Sequence, residues 1–375
     1  TSVSYTYDKN RNVKSRTNQE GYTFYYTYDS MNRIIEIASS DGQHKQYSYN
    51  PLGKVSSATD GNGNTTKYFY SPAGHLIRVE DALGNSTHYS YDEIGNLSEI
   101  SQCGLEPELT EACKQNERNQ SHHFVQYQRD ILGHIETVTD ALGNQEHYTY
   151  NEMGYLVEKQ DKEGFVTTFG YTKGGKLSEI QYADGNSVKL SYNPLKQLVE
   201  IQDWLGTTKV EVDELGRAEK VTDTKGREVH YKRDAFGNCV EMQYPDGKTV
   251  EYGYDQWRRL TSLKDEHGEF HYSYDNNNRL CEKVFPNGMK TNYTYGIDGM
   301  IQQLSHWDKE GLLEDYKYQY DTVGNRVGIQ RERRGLPEES GSYHYGYDAL
   351  NRLIAVEKEG TLLRSYGYDA YGNRS

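Results

Sequence analysis

The sequence predicts an all-β fold, a long coiled sheet of tandem antiparallel hairpins, from three observations. Tyr and Gly each occur 36 times in 375 residues, whereas Phe occurs 8 times and Pro 7 times. A tyrosine-containing motif recurs with a period of about 21 residues along the whole chain. Apolar residues do not recur at helical spacing in any segment. Because tyrosine favours strands and glycine favours turns, the composition indicates many short strands separated by turns.

Each repeat can be aligned on one position, here called the anchor, which is the second tyrosine of a Tyr-x-Tyr-Asp-like motif. Fourteen of the seventeen anchors are Tyr, and fourteen repeats also have Tyr two residues earlier. Residues two apart on a strand share a face, so both tyrosines project from the same face. The anchors are Tyr7, Tyr28, Tyr49, Tyr70, Tyr91, Arg129, Tyr150, Tyr171, Tyr192, Val212, Arg233, Tyr254, Tyr274, Tyr295, Tyr320, Tyr347 and Tyr368.

A turn, here called turn A, is predicted directly after each anchor. Asp or Asn commonly follows the anchor, and Gly or Asn stands four residues after it. This pattern predicts positive φ at the Gly or Asn, with the Asp side chain capping the turn. The residues chosen as representative structural positions of the repeat are Tyr26, Tyr28, Asp29, Tyr89, Tyr91, Asp92, Gly95, Tyr148, Tyr150, Gly154, Tyr252, Tyr254 and Asp255.

The second strand of each repeat begins with an apolar pair spaced by three, such as Leu97 and Ile100. This spacing breaks strict alternation, so we expect a β-bulge or a residue at the bent end of the turn. A second turn, turn B, has two sequence forms. One is Asp-Ala-Leu-Gly-Asn, as at 81–85, and the other is Pro-Asp-Gly at 245–247, for which a tighter loop is predicted.

The tyrosines themselves suggest how the sheet is packed. Equivalent tyrosines of successive hairpins would lie about 9–10 Å apart, so side chains of the intervening strand, the Leu, Ile and Val columns, should interleave between them. Tyr in place of Phe implies that the hydroxyl reaches water or a backbone partner, and a wetted sheet face is the simplest explanation. The hydrophobic fraction of 34% is consistent with a thin, wetted layer.

An insertion interrupts the period at residues 101–123, where one step lengthens to 38 residues. It contains Cys103, Cys113, His122 and His123, whose spacing matches no standard zinc site. A local disulfide between Cys103 and Cys113, or two free thiols, is favoured over a metal site. We expect the insertion to protrude as a surface loop.

Composition and motif content argue against several classes of function. A net charge of −14 without a basic run disfavours nucleic acid and anionic membranes as partners, and no run of 18 apolar residues encodes a transmembrane helix. The sequence contains no recognisable nucleophile set, catalytic carboxylate pair or phosphate loop, so no catalytic, cofactor-binding or metal-binding residue is predicted. Residues 60–64, Asp-Gly-Asn-Gly-Asn, lack the downstream Glu of a calcium loop and are interpreted as a hairpin turn.

The repeat unit resembles that of a known family. Residues 89–97 read Tyr-Ser-Tyr-Asp-Glu-Ile-Gly-Asn-Leu, and such units resemble the YD repeats of rearrangement-hotspot (Rhs) proteins, Tc toxin C components, wall-associated polymorphic toxins and teneurins. The resemblance covers essentially the whole chain except the insertion. It implies a coiled β-sheet shell, which encloses a C-terminal toxin in Rhs and Tc proteins and carries extracellular adhesion modules in teneurins. The self-cleaving core segment of the bacterial family has no counterpart here, so self-cleavage is not expected.

The expectations about domains and function follow from this resemblance. Residues 1–375 are expected to form one YD-repeat shell fragment, with the insertion as a loop within the array. The leading interpretation is a non-catalytic shell of a secreted polymorphic toxin, which encloses or presents a C-terminal cargo. The alternative is a carbohydrate-binding or adhesion module at the cell surface, because aromatic faces can stack on sugar rings.

The expected partner is the remainder of a longer polypeptide, because the chain begins and ends inside a repeat. Glycans are a second class of partner, which the alternative function would require. The resemblance implies that the protein is secreted or displayed at the cell surface.

Overall fold

The computed structural model describes residues 3–103, 123–369 and 372–374. These residues form 33 strands and one short 3-10 helix, Pro337–Glu339. Strands β1 to β10 are Ser4–Tyr7, Val13–Thr17, Thr23–Tyr28, Ile34–Ser39, His44–Tyr49, Val55–Thr59, Thr65–Tyr70, Leu76–Glu80, Ser86–Tyr91 and Leu97–Cys103. Strands β11 to β22 are His123–Arg129, Ile135–Thr139, Gln145–Tyr150, Leu156–Gln160, Val166–Tyr171, Leu177–Gln181, Ser187–Tyr192, Leu198–Asp203, Gly206–Val212, Ala218–Thr222, Glu228–Arg233 and Cys239–Gln243. Strands β23 to β33 are Thr249–Tyr254, Leu260–Asp265, Gly268–Tyr274, Leu280–Val284, Lys290–Tyr295, Ile301–Asp308, Gly311–Tyr320, Arg326–Arg333, Gly341–Tyr347, Leu353–Lys358 and Thr361–Ser365.

The strands confirm the predicted all-β fold of tandem hairpins. The 33 strands belong to one sheet, and the strand pairs for which the register is given are antiparallel and join strands consecutive in the chain. The chain divides into two compact units. Unit 1 comprises Thr1–Phe124, Tyr274–Lys283 and Gly288–Ser375, and unit 2 comprises Val125–Ser273 and Val284–Asn287.

A β-bulge lies where the second strand begins in the hairpins whose register the structure describes, as the spacing of the apolar residues predicts. In β9 and β10, Leu97 pairs with Tyr91 but Glu99 pairs with Ser90, so the second strand carries one extra residue. The extra residue lies between Leu97 and Ile100, so Leu97 lies opposite Tyr91, Ile100 lies opposite Tyr89, and the two apolar residues share a face.

Turn A has the predicted backbone. After Tyr91, the Asp92 amide donates to the Asn96 carbonyl, 2.8 Å, and the Gly95 amide donates to the Asp92 carbonyl, 3.0 Å. Gly95 has a φ of +89°. Where Asn replaces Gly, as at Asn32, φ is +61°, which Asn tolerates better than most residues.

The prediction of a tighter turn B at Pro-Asp-Gly is wrong. The Tyr244 amide donates to the Lys248 carbonyl and the Gly247 amide to the Tyr244 carbonyl, and the Asp81 turn has the same two bonds. Proline fixes a φ that the second position of this turn adopts in any case, so Pro245 leaves the geometry unchanged. Two-residue loops lie instead at other turns B, among them those between Asp203 and Gly206 and between Asp265 and Gly268. These shorter loops account for the two 20-residue steps.

The longer steps near the C-terminus are extended hairpins. Strands β28, β29 and β30 contain 8, 10 and 8 residues, and the 3-10 helix lies between β30 and β31. The extra residues therefore lengthen the strands at the turn B end and add one helical turn.

The sheet has little closed core, as expected for a thin layer. Among the described residues, Tyr22 is the single large apolar side chain in the buried class, with 5% of its surface exposed. Exposure alternates along the strands, for example in Gln145–Tyr150, where the two tyrosines are half-buried and the residue between them is exposed. Stability must therefore come from many half-buried contacts repeated along the sheet.

Candidate functional surface of tyrosines and turns

The tyrosine columns form one repeated surface, here called the tyrosine face. Tyr252 of β23 lies opposite Leu263 of the next strand, and Tyr26 lies opposite Ile37. The predicted interleaving of tyrosine and aliphatic side chains is therefore observed.

The anchor hydroxyl has a backbone partner. In at least ten of the described repeats it donates to a main-chain carbonyl of the preceding hairpin at 2.6–3.0 Å. We call this bond the tyrosine latch. The donor and acceptor pairs are Tyr28–Val13, Tyr49–Ile34, Tyr91–Leu76, Tyr171–Leu156, Tyr192–Leu177, Tyr254–Cys239, Tyr295–Leu280, Tyr320–Ile301, Tyr347–Arg326 and Tyr368–Leu353.

The latch, and not contact with water, is the main reason why the anchor position has Tyr and not Phe. The ladder between β22 and β23 covers Glu241–Gln243, and Cys239 lies beyond it at the bulge. The Tyr254 hydroxyl reaches the Cys239 carbonyl at 2.9 Å and supplies a donor where the strands separate. At the anchor position the hydroxyl therefore has a backbone partner, one of the two predicted alternatives, in place of water. Arg233, an anchor without tyrosine, places Nη2 3.4 Å from the Ala218 carbonyl at the corresponding site.

Turn A also holds the residue that contacts the next anchor ring. Asp29 accepts the backbone N–H of Met31 and of Arg33 through Oδ1, and its Oδ2 accepts from Arg33 Nε at 2.7 Å. This contact holds the Arg33 guanidinium 4.4 Å from the centre of the Tyr49 ring, a favourable cation–π distance.

The same contact recurs 16 residues before many anchors, with Arg, Lys, His or Tyr as the partner. The partner and anchor pairs are Arg33–Tyr49, Lys54–Tyr70, His75–Tyr91, His134–Tyr150, Tyr155–Tyr171, Arg279–Tyr295 and Arg352–Tyr368. Our sequence reasoning assigned no role to these partners. The sequence feature that could have identified them is their position, between Gly and Leu in the repeat motif. Turn A places the side chain at this position over the ring of the next anchor.

The electrostatic surroundings keep the turn A aspartate charged and the anchor hydroxyl protonated, as these contacts require. The backbone N–H and the guanidinium of Arg33 lower the pKa of Asp29, so its carboxylate is charged at neutral pH. Burial raises the pKa of Tyr28 and of Tyr254, so each hydroxyl keeps its proton and can donate.

The representative residues fall at repeated structural positions and do not converge on one pocket. Gly95 and Gly154 have positive φ, Asp92 and Asp255 cap turn A, and Tyr148 donates to Glu146 at 2.7 Å. Cys113 and His122 lie outside the described residues, as do the side chains of Cys103 and His123, so the disulfide and metal alternatives there stay open.

The turn at 60–64 is a hairpin turn, as interpreted, with Asp60 Oδ1 accepting the N–H groups of Asn62 and Asn64. Within residues 3–103, 123–369 and 372–374, no group of three or more His, Cys, Asp and Glu side chains is arranged to hold a metal ion. The same residues contain no helix of the length and hydrophobicity needed to cross a lipid bilayer.

Two turns far apart in sequence meet within unit 1. Asn62 of turn B donates to Asp321 of turn A at 2.9 Å, and Thr322 Oγ1 donates to Asn62 at 2.7 Å. A Cβ on Gly61 would lie 2.9 Å from the Thr322 carbonyl, so glycine permits this close approach. A groove of about 310 Å³ beside the contact is lined by residues that include Val323.

A second such contact joins Glu20 of turn B to Arg279 of turn A at 2.6 Å. The Asn62–Asp321 bond and this bond both span 259 residues of sequence. Within unit 1, a turn A and a distant turn B are therefore in contact at both of these places, and the bonded residues are separated by the same distance in sequence.

The chain matches the Teneurin YD-shell family over residues 1–102 and 108–287. It is 26% identical over 230 residues to double-stranded DNA deaminase toxin A of Burkholderia cenocepacia strain H111, covering 58% of this chain and 15% of that protein. It is 24% identical over 244 residues to the probable deoxyribonuclease RhsB of Dickeya dadantii strain 3937, covering 64% of this chain and 16% of that protein.

The fold is shared with a solved structure. The crystal structure of TcdB2-TccC3-Cdc42 superposes with a TM-score of 0.83 and 17% identity, over 99% of this chain and 23% of that chain. The chain thus spans about a sixth of the curated relatives and under a quarter of the solved chain. The family match covers well over half of the sequence, and the chain therefore belongs to the Teneurin YD-shell family.

Proposed function

We propose that this chain is a non-catalytic segment of a toxin shell, which encloses or presents a C-terminal cargo of the same longer polypeptide. The observation that carries the proposal is its fold, which corresponds over 99% of its length to 23% of the TcdB2-TccC3-Cdc42 chain. Residues 1–375 would form one array, with 101–123 as its insertion.

The names of the relatives support separate roles for this repeat region and for the rest of each polypeptide. A deaminase toxin and a probable deoxyribonuclease share this repeat region, although their named reactions differ. A common region is better suited to a common mechanical task than to two different reactions. The catalytic activity would then belong to the rest of each polypeptide, and the protein would act outside the producing cell or at its surface.

The contacts of the tyrosine face support a structural role over glycan binding. An anchor such as Tyr49 has its hydroxyl bonded to a backbone carbonyl and one side of its ring covered by Arg33. A ring held in this way has less free surface for a sugar. The acidic, polar composition would also limit tight binding of an enclosed polypeptide.

Electron microscopy of the full-length polypeptide, with and without its C-terminal region, tests this proposal. We expect a hollow particle that loses internal density when the C-terminal region is deleted. A solid rod without a lumen would contradict the shell. Saturable binding to a glycan array with no enclosed density would instead favour the adhesion alternative.

A further inference from the structure

The groove beside turn B at 60–64 lies within unit 1 and has a volume of about 310 Å³. We call it the unit 1 groove. One wall is part of the tyrosine face, where Phe24 of β3 and Ile37 of β4 are half-buried. The other wall contains Thr322 and Val323 of a turn A that is distant in sequence. This volume is at the lower end of the range for small-molecule sites, so a ligand here would be small and partly apolar.

The groove also contains a cation without a carboxylate partner. Lys45 of β5 lines it, and its ammonium group lies 5.6 Å from the centre of the Tyr47 ring. Lys45 is exposed and makes no ion pair with any residue in the part of the chain that the structure describes. The carboxylate of Asp60, also in the lining, is bonded within its own turn, where Oδ1 accepts the amides of Asn62 and Asn64. The groove therefore presents an unpaired positive charge beside apolar side chains.

The tyrosine face of unit 2 shows how this sheet binds a carboxylate. Glu146 stands four residues before its anchor, as Lys45 does. Its carboxylate accepts from the Tyr148 hydroxyl at 2.7 Å and pairs with Lys159 at 3.1 Å. Tyr47 occupies the same repeat position as Tyr148, so Lys45 and Tyr47 bring together the same two groups without a carboxylate. Bonds from a lysine and a tyrosine to a carboxylate are charge-assisted and strong for their size.

The two walls of the groove come from hairpins far apart in sequence. Ile37 and Lys45 belong to early strands of the array, whereas Val323 follows β29. Beside the groove, these two regions are joined by the hydrogen bond from Asn62 to Asp321. A ligand between the walls would add contacts across this junction, so its binding would stabilise the junction.

We propose that the unit 1 groove binds a small carboxylate that carries an apolar group. Lys45 binds the carboxylate, and Phe24, Ile37 and Val323 contact the apolar group. Because the charge pair is exposed and the apolar area is small, we expect a Kd on the order of 1 mM. This site is independent of the shell proposal, which requires no ligand.

Methyl NMR of the full 375-residue chain, with labelled Ile and Val methyl groups, tests the site with 4-phenylbutanoate as the probe. We expect saturable shifts at Ile37 and Val323. Ile180 and Val221, which lie on the tyrosine face of unit 2, should not shift. The neutral analogue 4-phenylbutan-1-ol lacks the charge and should bind about five-fold more weakly.

Variants separate the charge from the apolar contact. Lys45→Gln should weaken binding of 4-phenylbutanoate about five-fold and leave binding of the alcohol unchanged. Lys67→Gln is the control for net charge, because Lys67 lies on the opposite face of the sheet and pairs with Glu80 at 2.8 Å. Val323→Ser should weaken binding of both probes, since both use the apolar wall. Circular dichroism verifies that every variant keeps its sheet.

The same chemistry occurs in free acids and in an apolar residue that ends a peptide. Tighter binding of N-acetyl-alanyl-phenylalanine than of 4-phenylbutanoate would assign the groove to a peptide C-terminus, and weaker binding would assign it to a free acid. Shifts at Ile37 and Val323 that do not saturate by about 10 mM, ten times the expected Kd, overturn the proposal. So does equal binding of the acid and the alcohol, or an equal loss of both in Lys45→Gln.

Discussion

The regular hairpins and the extended hairpins near the C-terminus satisfy their polar groups in different ways. Between β22 and β23 the ladder has three residue pairs, and the Tyr254 latch serves a carbonyl beyond it. Between β28 and β29, the equivalent two strands of the extended region, the ladder has six pairs. The extension carries a buried Asp315, which accepts from Ser305 at 2.6 Å and from Gln303 at 2.8 Å.

Charged side chains also pair within the extension. Arg333 donates to Glu314 at 2.7 Å and to Glu339 at 2.6 Å, and Tyr316 donates to Glu314 at 2.8 Å. The latch persists there, because Tyr320 still donates to the Ile301 carbonyl. In a strand of the regular length, the tyrosine latch is enough to satisfy the carbonyl at the bulge. Residues that extend a strand beyond this length need additional polar partners of their own.

The largest expected effect comes from a substitution that disfavours the backbone conformation of turn A in a regular repeat. Gly95→Val should lower the free energy of unfolding by about 3 kcal/mol, because a β-branched residue resists positive φ. Its Cβ would also lie 3.0 Å from the His75 ring. Gly335→Val in the extended region is the matched control, since an added Cβ there meets nothing within 4 Å. Urea denaturation measures both variants, and equal stability of the two would argue against the turn assignment.

The next effect tests the polar core of the extension. Asp315→Ala should cost about 2 kcal/mol, because Ser305 and Gln303 lose a buried acceptor. Asp315→Asn keeps an acceptor oxygen and should cost less. Hydrogen exchange should show faster opening in β28 and β29, with unit 2 unchanged. A change spread evenly over the chain would contradict a local network.

A smaller effect should distinguish the latch from packing. Tyr254→Phe keeps the ring and removes the donor to the Cys239 carbonyl, at a cost of about 1 kcal/mol. Tyr252→Phe is the control on the same strand, because the Tyr252 hydroxyl has no hydrogen bond among the contacts described for this chain. Tyr320→Phe should cost about as much as Tyr254→Phe if the latch belongs to the repeat. Equal losses for Tyr252→Phe and Tyr254→Phe would show that the hydroxyl bond contributes nothing.

These features differ in how far the sequence predicts them. The strands and the positive φ at Gly95 and Asn32 follow from local rules, because period and turn chemistry act over a few residues. The latch of Tyr254 depends on where two hairpins separate, which periodicity alone does not specify. The contact between Asn62 and Asp321 spans 259 residues, and its position depends on the accumulated geometry of all the intervening strands.

The smallest effect concerns pH and the caps of turn A. Arg33 lowers the pKa of Asp29 in the folded chain, through its backbone N–H first and then its guanidinium. A lowered pKa stabilises the fold above the pKa of the unfolded chain, near pH 4, and that contribution is lost as pH falls through the folded pKa. Asp29→Asn should therefore lower stability slightly at pH 7, where the contribution of the charged carboxylate is lost, and flatten the decline of stability below about pH 4.

The chain contains a natural precedent for this substitution. Asn50 occupies the same position one repeat later and accepts the Lys54 amide at 3.0 Å, so the turn forms without a carboxylate. The reciprocal variant Asn50→Asp should steepen the acid-induced loss, because a new carboxylate would gain the backbone N–H of Lys54 and a nearby ammonium group. Urea unfolding at several pH values between 2 and 7 compares both variants with the parent. If both leave the acid limb unchanged, the caps act through hydrogen-bond geometry alone and their charge has no role in stability.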